Sequence, residues 1–184
     1  MAQWLIIHPK DETTDFLSEC YQDIQDKEVI RDPFFSNGKL RKLLKKYDNI
    51  MILGHGTQDG LIASHKGKPY RLMINSNHVF ELRRKNAVIG VWCYASEFFK
   101  KYSISGFATS MYISELNEAA DYMLPLRQSW IEESNNALTD TIRHYYDYPS
   151  IDLYAHLRVS FTALRRNAIA MFNADGFKYF NYNK

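Results

Sequence analysis

Cysteine is scarce: Cys20 and Cys93 are the two in 184 residues. Two thiols cannot build a disulfide framework and fit a reducing compartment, so a cytoplasmic location is expected. Glycine (eight) and proline (five) are sparse as well, which excludes a collagen-like repeat or a Pro/Gly-rich low-complexity chain. No apolar stretch approaches the roughly 18 residues of a membrane-spanning helix, and no membrane partner is expected. The start, Met1-Ala-Gln-Trp-Leu-Ile-Ile-His-Pro, lacks the basic region of a secretory signal and breaks its apolar run after four residues. Charge of either sign is not in excess. Lys plus Arg number 23 against 21 Asp plus Glu, a net +2 too small to mark nucleic acid as a partner. Close ligand pairs such as His-Glu-x-x-His or Cys-x-x-Cys do not occur, so His65 and His78 give no reason to expect a metal.

What is present is ordinary globular material, 46% hydrophobic and 24% charged, of a length that fits one domain over residues 1–184. Short apolar runs at 4–7, 28–31, 50–53, 88–92 and 104–109 have strand length and β-rich composition, and 177–182 reads as a closing strand. Between them lie helical patterns. Thr14, Phe16, Leu17, Cys20, Tyr21 and Ile24 recur at three- and four-residue steps, Leu40, Leu43, Leu44 and Tyr47 mark an amphipathic helix, and Ala95 to Tyr102 follows Cys93. Two longer helices are expected over 130–146 and 152–172, broken at Tyr148-Pro149-Ser150. Residues 61–64 and 70–73 flank the turn His65-Lys66-Gly67-Lys68 and read as a small hairpin. Alternating strands and helices predict an α/β fold with a mostly parallel sheet and helices on both faces.

In such a sheet, ligands collect where strands end at their carboxyl edge. His55 follows one apolar strand and Cys93 another, 38 residues later, so parallel neighbours would bring an imidazole and a thiol to one edge. An imidazole beside a thiol, whose ordinary pKa is near 8.5, is the common way to raise the thiolate population. His8 closes the first strand and reads either as a supporting group at the same edge or as a plain strand-end residue.

The runs Ile50-Met51-Ile52-Leu53-Gly54-His55-Gly56 and Val88-Ile89-Gly90-Val91-Trp92-Cys93, with a hairpin and a helix between them, resemble the signature of the caspase-like (clan CD) cysteine peptidases. This group includes metacaspases, gingipains, legumains, clostripain and CHAT members, and the chain resembles a bacterial-type relative. The resemblance implies a three-layer caspase-like sandwich and a peptidase acting on polypeptides with no metal or organic cofactor. It makes Cys93 the nucleophile and His55 its base and acid, with the backbone N–H groups of Gly56 and Cys93 forming an oxyanion hole. Glu115, Glu118 and Asp121, after the fifth strand, fall where relatives build the pocket for the residue before the scissile bond; a solvated helix face is their plainer reading. In caspases the final strand pairs with a second copy, so a homodimer through the C-terminal edge strand is implied. Val91-Trp92-Cys93-Tyr94-Ala95 stands where caspases have Gln-Ala-Cys-Arg/Gln-Gly, so aspartate specificity is not implied.

Other readings compete. A catalytically silent scaffold on the same fold is the alternative from another class. Gly54-x-Gly56-x-x-x-Gly60 loosely matches a dinucleotide loop, but that motif must open a helix, and a hairpin is expected here. A tyrosine-phosphatase loop needs Arg six residues after the cysteine, where this chain has Phe99.

Overall fold

The structure, a computed structural model, describes residues 3–63 and 71–182. Six strands make the main sheet: β1 (Trp4–Ile7), β2 (Lys27–Ile30) and β3 (Asn49–Leu53), then β6 (Ala87–Val91), β7 (Gly106–Thr109) and β8 (Phe177–Phe180). A separate antiparallel pair, β4 (Gly56–Thr57) with β5 (Gly60–Leu61), stands beside it. The strand order is β2-β1-β3-β6-β7-β8. All neighbours run parallel except β8, which is antiparallel to β7. The chain is therefore α/β with a mostly parallel mixed sheet, and the five internal strand runs fall within two residues of their expected bounds.

Continuous apolar runs form these strands because both faces of the sheet are covered, which removes the polar alternate positions of a half-exposed strand. Trp4 and Ile6 point to one side with Met51, Leu53, Ile89, Val91 and Phe107; Leu5 and Ile7 point to the other with Ile50, Ile52, Val88 and Ala108. On the first face lie a 3-10 helix (Glu12–Tyr21), α5 (Gln128–Tyr145), α6 (Ser150–Ala163) and α7 (Ala168–Asp175). The second face is closed by α1 (Asn37–Lys46), α2 (Val79–Leu82) and α3 (Ala95–Tyr102). The short α4 (Leu116–Asp121) sits in the connection after β7. No described helix is long and apolar enough to cross a membrane.

Three local expectations are corrected. The helical pattern marked from Thr14 to Ile24 folds as a 3-10 helix that ends at Tyr21, although Leu17, Cys20 and Tyr21 bury as the spacing requires. Its Thr14 and Ser18 hydroxyls donate to carbonyls three residues back, at 3.4 and 2.7 Å, competing with the α-helical pattern. The helix expected over 152–172 is two helices. Asn167 leaves the helical region (φ −94°, ψ 105°) and its side chain accepts from the Ala170 N–H, starting α7 afresh. The closing strand stops at Phe180. Of the hairpin, the arms pair through Ala63 N–H to Arg71 O and Met73 N–H to Leu61 O, both 2.8 Å; its turn, with His65, lies outside the described residues.

The order of strands places the candidate site. From β1 the chain crosses to β2 on one side, and β3 then pairs on β1's other side, so β1 and β3 meet at a reversal of strand order. Loops leaving the two strands there diverge to opposite faces and open a crevice at the carboxyl edge.

Candidate active site

Leu53 and Val91 are partners in the β3–β6 ladder, so His55 and Cys93 leave adjacent parallel strands two residues beyond a shared rung. Gly54 makes the exit from β3. Its φ of +136° is a conformation L side chains rarely adopt, and its N–H still donates to Val91 O at 3.1 Å. Beyond Cys93 the strand turns sharply into α3. The Ala95 N–H donates to Trp92 O at 3.1 Å, and Tyr94 takes φ 69°, ψ 24°, close to the third position of a type II turn that glycine normally fills. Two bonds fix this turn against β7: Tyr94 N–H to Ser110 O at 3.1 Å and the Thr109 hydroxyl to Trp92 O at 2.9 Å.

His55 and Cys93 line one narrow cleft of about 20 Å³, with Thr14, Phe16, Leu17, Gly54, Trp92, Tyr112 and Glu118 among its walls. That is room for roughly one water. The thiol donates to Tyr112 O at 3.7 Å, and among the described residues no hydrogen bond joins it to His55. Burial, with a smaller contribution from the Glu118 carboxylate and a partial offset from the Tyr112 backbone, pushes the thiol up to about 11. At rest it is a protonated donor. Its acceptor is held firmly, because the buried Asn173 of α7 clamps the next residue: it accepts from Ile113 N–H at 2.7 Å and donates to Ile113 O at 2.9 Å. Cys20, wholly buried, is pushed up further still by desolvation.

His55 faces the start of the 3-10 helix that follows β1, where Asp11 is the N-cap and Thr13 lies in the first turn. Its Nε2 lies 2.6 Å from the Thr13 hydroxyl, which lies 2.7 Å from Asp11 Oδ1. The same carboxylate oxygen accepts from Thr13 N–H at 3.1 Å and sits 3.9 Å from Nε2. Beneath this first turn is a buried polar network. His8 Nε2 donates to Thr14 O at 3.1 Å, while Nδ1 accepts from Arg31 Nη1 at 2.8 Å and lies 3.0 Å from the Tyr21 hydroxyl. Arg31 also pairs with Asp15. Burial, reinforced by the Arg31 charge, lowers His8 to about 4. His8 is thus neither solvent-facing nor part of the cleft; it anchors the segment that carries Thr13.

The oxyanion-hole candidates differ in their surroundings. Among the described residues no other residue accepts from Cys93 N–H. Ile62 N–H donates to His55 O at 2.8 Å, which makes 55/62 a bonded pair of the antiparallel ladder and leaves Gly56, opposite Leu61, in the unbonded register with its N–H turned outward. Gly56 is not a cleft wall. Its lack of a side chain is explained by Trp92: a Cβ there would stand 2.0 Å from Trp92 Cδ1, and the indole N–H donates to Thr57 O at 3.1 Å, tying the β4–β5 pair to β6.

Of the three acids, Glu118 alone reaches the cleft wall. Its Oε2 is occupied, accepting from Ser114 N–H (2.7 Å), the Ser114 hydroxyl (3.1 Å) and Glu115 N–H (3.2 Å), so it serves as the capping box of α4. Glu115 is the N-cap of that helix and Asp121 its exposed last residue. His78 is likewise structural: its Nδ1 accepts from Asn75 N–H at 3.2 Å within a capping box. Sequence reasoning missed Asp11, Thr13 and the Tyr112 carbonyl. The argument that picked out His55, chemistry gathered at the carboxyl edge, applies equally to the loop after β1. Compared with protein-family models and with curated proteins, the chain matches none.

Proposed function

We propose that the chain is a cysteine peptidase of caspase-like architecture, with His55 and Cys93 as its dyad. The observation that carries this is their delivery by adjacent parallel strands into one cleft beside the strand-order reversal. The Cys93 thiol gives its proton to the His55 imidazole, and the sulfur attacks the peptide carbonyl carbon. The oxyanion is met by the backbone N–H groups of Cys93 and Gly56, neither of which donates to another described residue. The C–N bond then breaks as the imidazolium protonates the leaving amine, and a water deprotonated by His55 hydrolyses the thioester. Only protein groups take part. The β8 edge carries the proposed contact with a second copy.

One observation favours the scaffold reading instead. The thiol rests protonated on Tyr112 O rather than on the imidazole, so catalysis requires the cleft to open and the Sγ to turn from that carbonyl. Positional peptide libraries with a fluorogenic amine leaving group test the proposal. Release that is abolished in both Cys93→Ala and His55→Ala, each with an unchanged circular dichroism spectrum, supports the peptidase; release from no library member, or release that survives Cys93→Ala, overturns it.

A further inference from the structure

The contacts of His55 contain a proton-counting constraint. The Thr13 hydroxyl has one proton and two close partners, Asp11 Oδ1 at 2.7 Å and His55 Nε2 at 2.6 Å. An ionised carboxylate oxygen accepts and never donates, so the hydroxyl proton belongs to the Asp11 contact. The Thr13 oxygen is then an acceptor toward the ring, and Nε2 must carry a hydrogen. We infer that Thr13, backed by Asp11, is a positioning residue that holds His55 as the Nε2–H tautomer and leaves Nδ1 as the nitrogen that exchanges protons with Cys93.

Three further features fit this assignment. Asp11 Oδ1 is fixed by a second donor, the Thr13 N–H at 3.1 Å, so the acceptor end of the chain does not wander. The carboxylate stands 3.9 Å from Nε2, near enough to stabilise an imidazolium once the ring takes the thiol proton. The segment bearing both residues is anchored from below by His8 Nε2–H donating to Thr14 O. A hydroxyl relaying an imidazole to a carboxylate performs the orienting task of a third catalytic-site member, without a direct His–Asp bond. The catalytic meaning of the relay rests on the peptidase reading; the tautomer does not.

The test separates the two. Nitrogen-15 NMR of histidine-labelled protein near neutral pH reports which ring nitrogen of His55 bears hydrogen. The expected result is a single Nε2–H form with a solvent-protected Hε2 proton in the wild type and in Thr13→Ser, and a mixed, rapidly exchanging ring in Thr13→Val. Thr13 is exposed, and the isosteric Val keeps the backbone bond to Asp11, so folding is not at stake. An Nδ1–H ring in the wild type, or an unchanged ring in Thr13→Val, overturns the relay whatever the enzyme does. For a fluorogenic substrate from the libraries, Thr13→Val is expected to lower kcat about tenfold, roughly the worth of one hydrogen bond, with KM unchanged and with rescue by Ser. The Nε2–H signature without peptide cleavage would leave the tautomer standing and remove the peptidase.

Discussion

If the Cys93 thiol rests as a donor to Tyr112 O, its alkylation should follow a proton-loss curve set by burial and not by His55. Burial holds the thiol at about 11, against an ordinary value near 8.5, which disfavours the thiolate by about 3 kcal/mol. At pH 8 the thiolate fraction is then about 1 in 1,000, against about 1 in 4 for an unshifted thiol, so iodoacetamide should modify Cys93 a few hundredfold more slowly than a free cysteine, on the order of the ratio of the two fractions. The rate should climb about tenfold per pH unit from 7 to 10 without a plateau. Cys20, fully buried and shifted further, should lag behind it throughout. Glu118→Gln removes the nearby negative charge and is expected to speed alkylation several-fold, whereas His55→Ala should leave the free protein's profile unchanged. Peptide mapping by mass spectrometry after timed quenching reads each site separately. A plateau below pH 9, or collapse of the rate in His55→Ala, would show a resting thiolate–imidazolium pair and refute the reasoning.

His8 and His78 are both held near 4 by burial, below the unfolded value of about 6.5. As pH falls, the unfolded chain therefore binds protons first; stability is full above about 6.5 and is lost toward 4, by about 2–3 kcal/mol per imidazole at pH 4.5. Urea denaturation at pH 7 and 4.5 should show this loss, reduced in His8→Asn; an equal dependence in that variant contradicts it. Gly56→Ala drives a methyl into Trp92 and should cost about 1–3 kcal/mol with a shift in tryptophan fluorescence; an unchanged melting temperature rejects the packing role. The dimer prediction uses the register of β8. Because Ser110 N–H bonds Gly176 O, alternation turns the N–H of Tyr179 to the open edge. Tyr179→Pro should then convert a light-scattering dimer to monomer without unfolding it, and a wild-type monomer at micromolar concentrations removes the proposed contact. Truncation before β8 would be uninformative, since Phe177 packs on Phe107 and Phe161 in the core.

The parts legible from the sequence were those with one dominant physical cause. β1, β3 and β6 read as strands because two-sided burial makes them unbroken apolar runs, and His55 and Cys93 stood out because they end two such runs. Asp11 and Thr13 did not, since an N-cap carboxylate and an exposed hydroxyl in the first turn of a 3-10 helix add nothing to its apolar periodicity, and their meaning comes from lying 44 and 42 residues before His55 in sequence yet beside it in space. Glu118 was visible as an acid after β7, but its use as a cap depends on the loop geometry at Ser114. The break between α6 and α7 was hidden because Leu164 continues the helical pattern while a single side chain, Asn167, starts the next helix. Gly56 was visible as a loop glycine; the ring of Trp92, 36 residues on, gives its reason.

The central claim is that Cys93 becomes a nucleophile only when a substrate carbonyl occupies the cleft with His55 beside it. A panel of peptidyl acyloxymethyl ketones, which need both a seated peptide and an activated thiol, measures this directly by intact-mass and peptide mapping. The account predicts a single adduct on Cys93 with at least one member of the panel at pH 7.5, none on Cys20, and none in His55→Ala. Adduct formation that is equally fast in His55→Ala, or no adduct from any member while iodoacetamide still reaches Cys93, would contradict it.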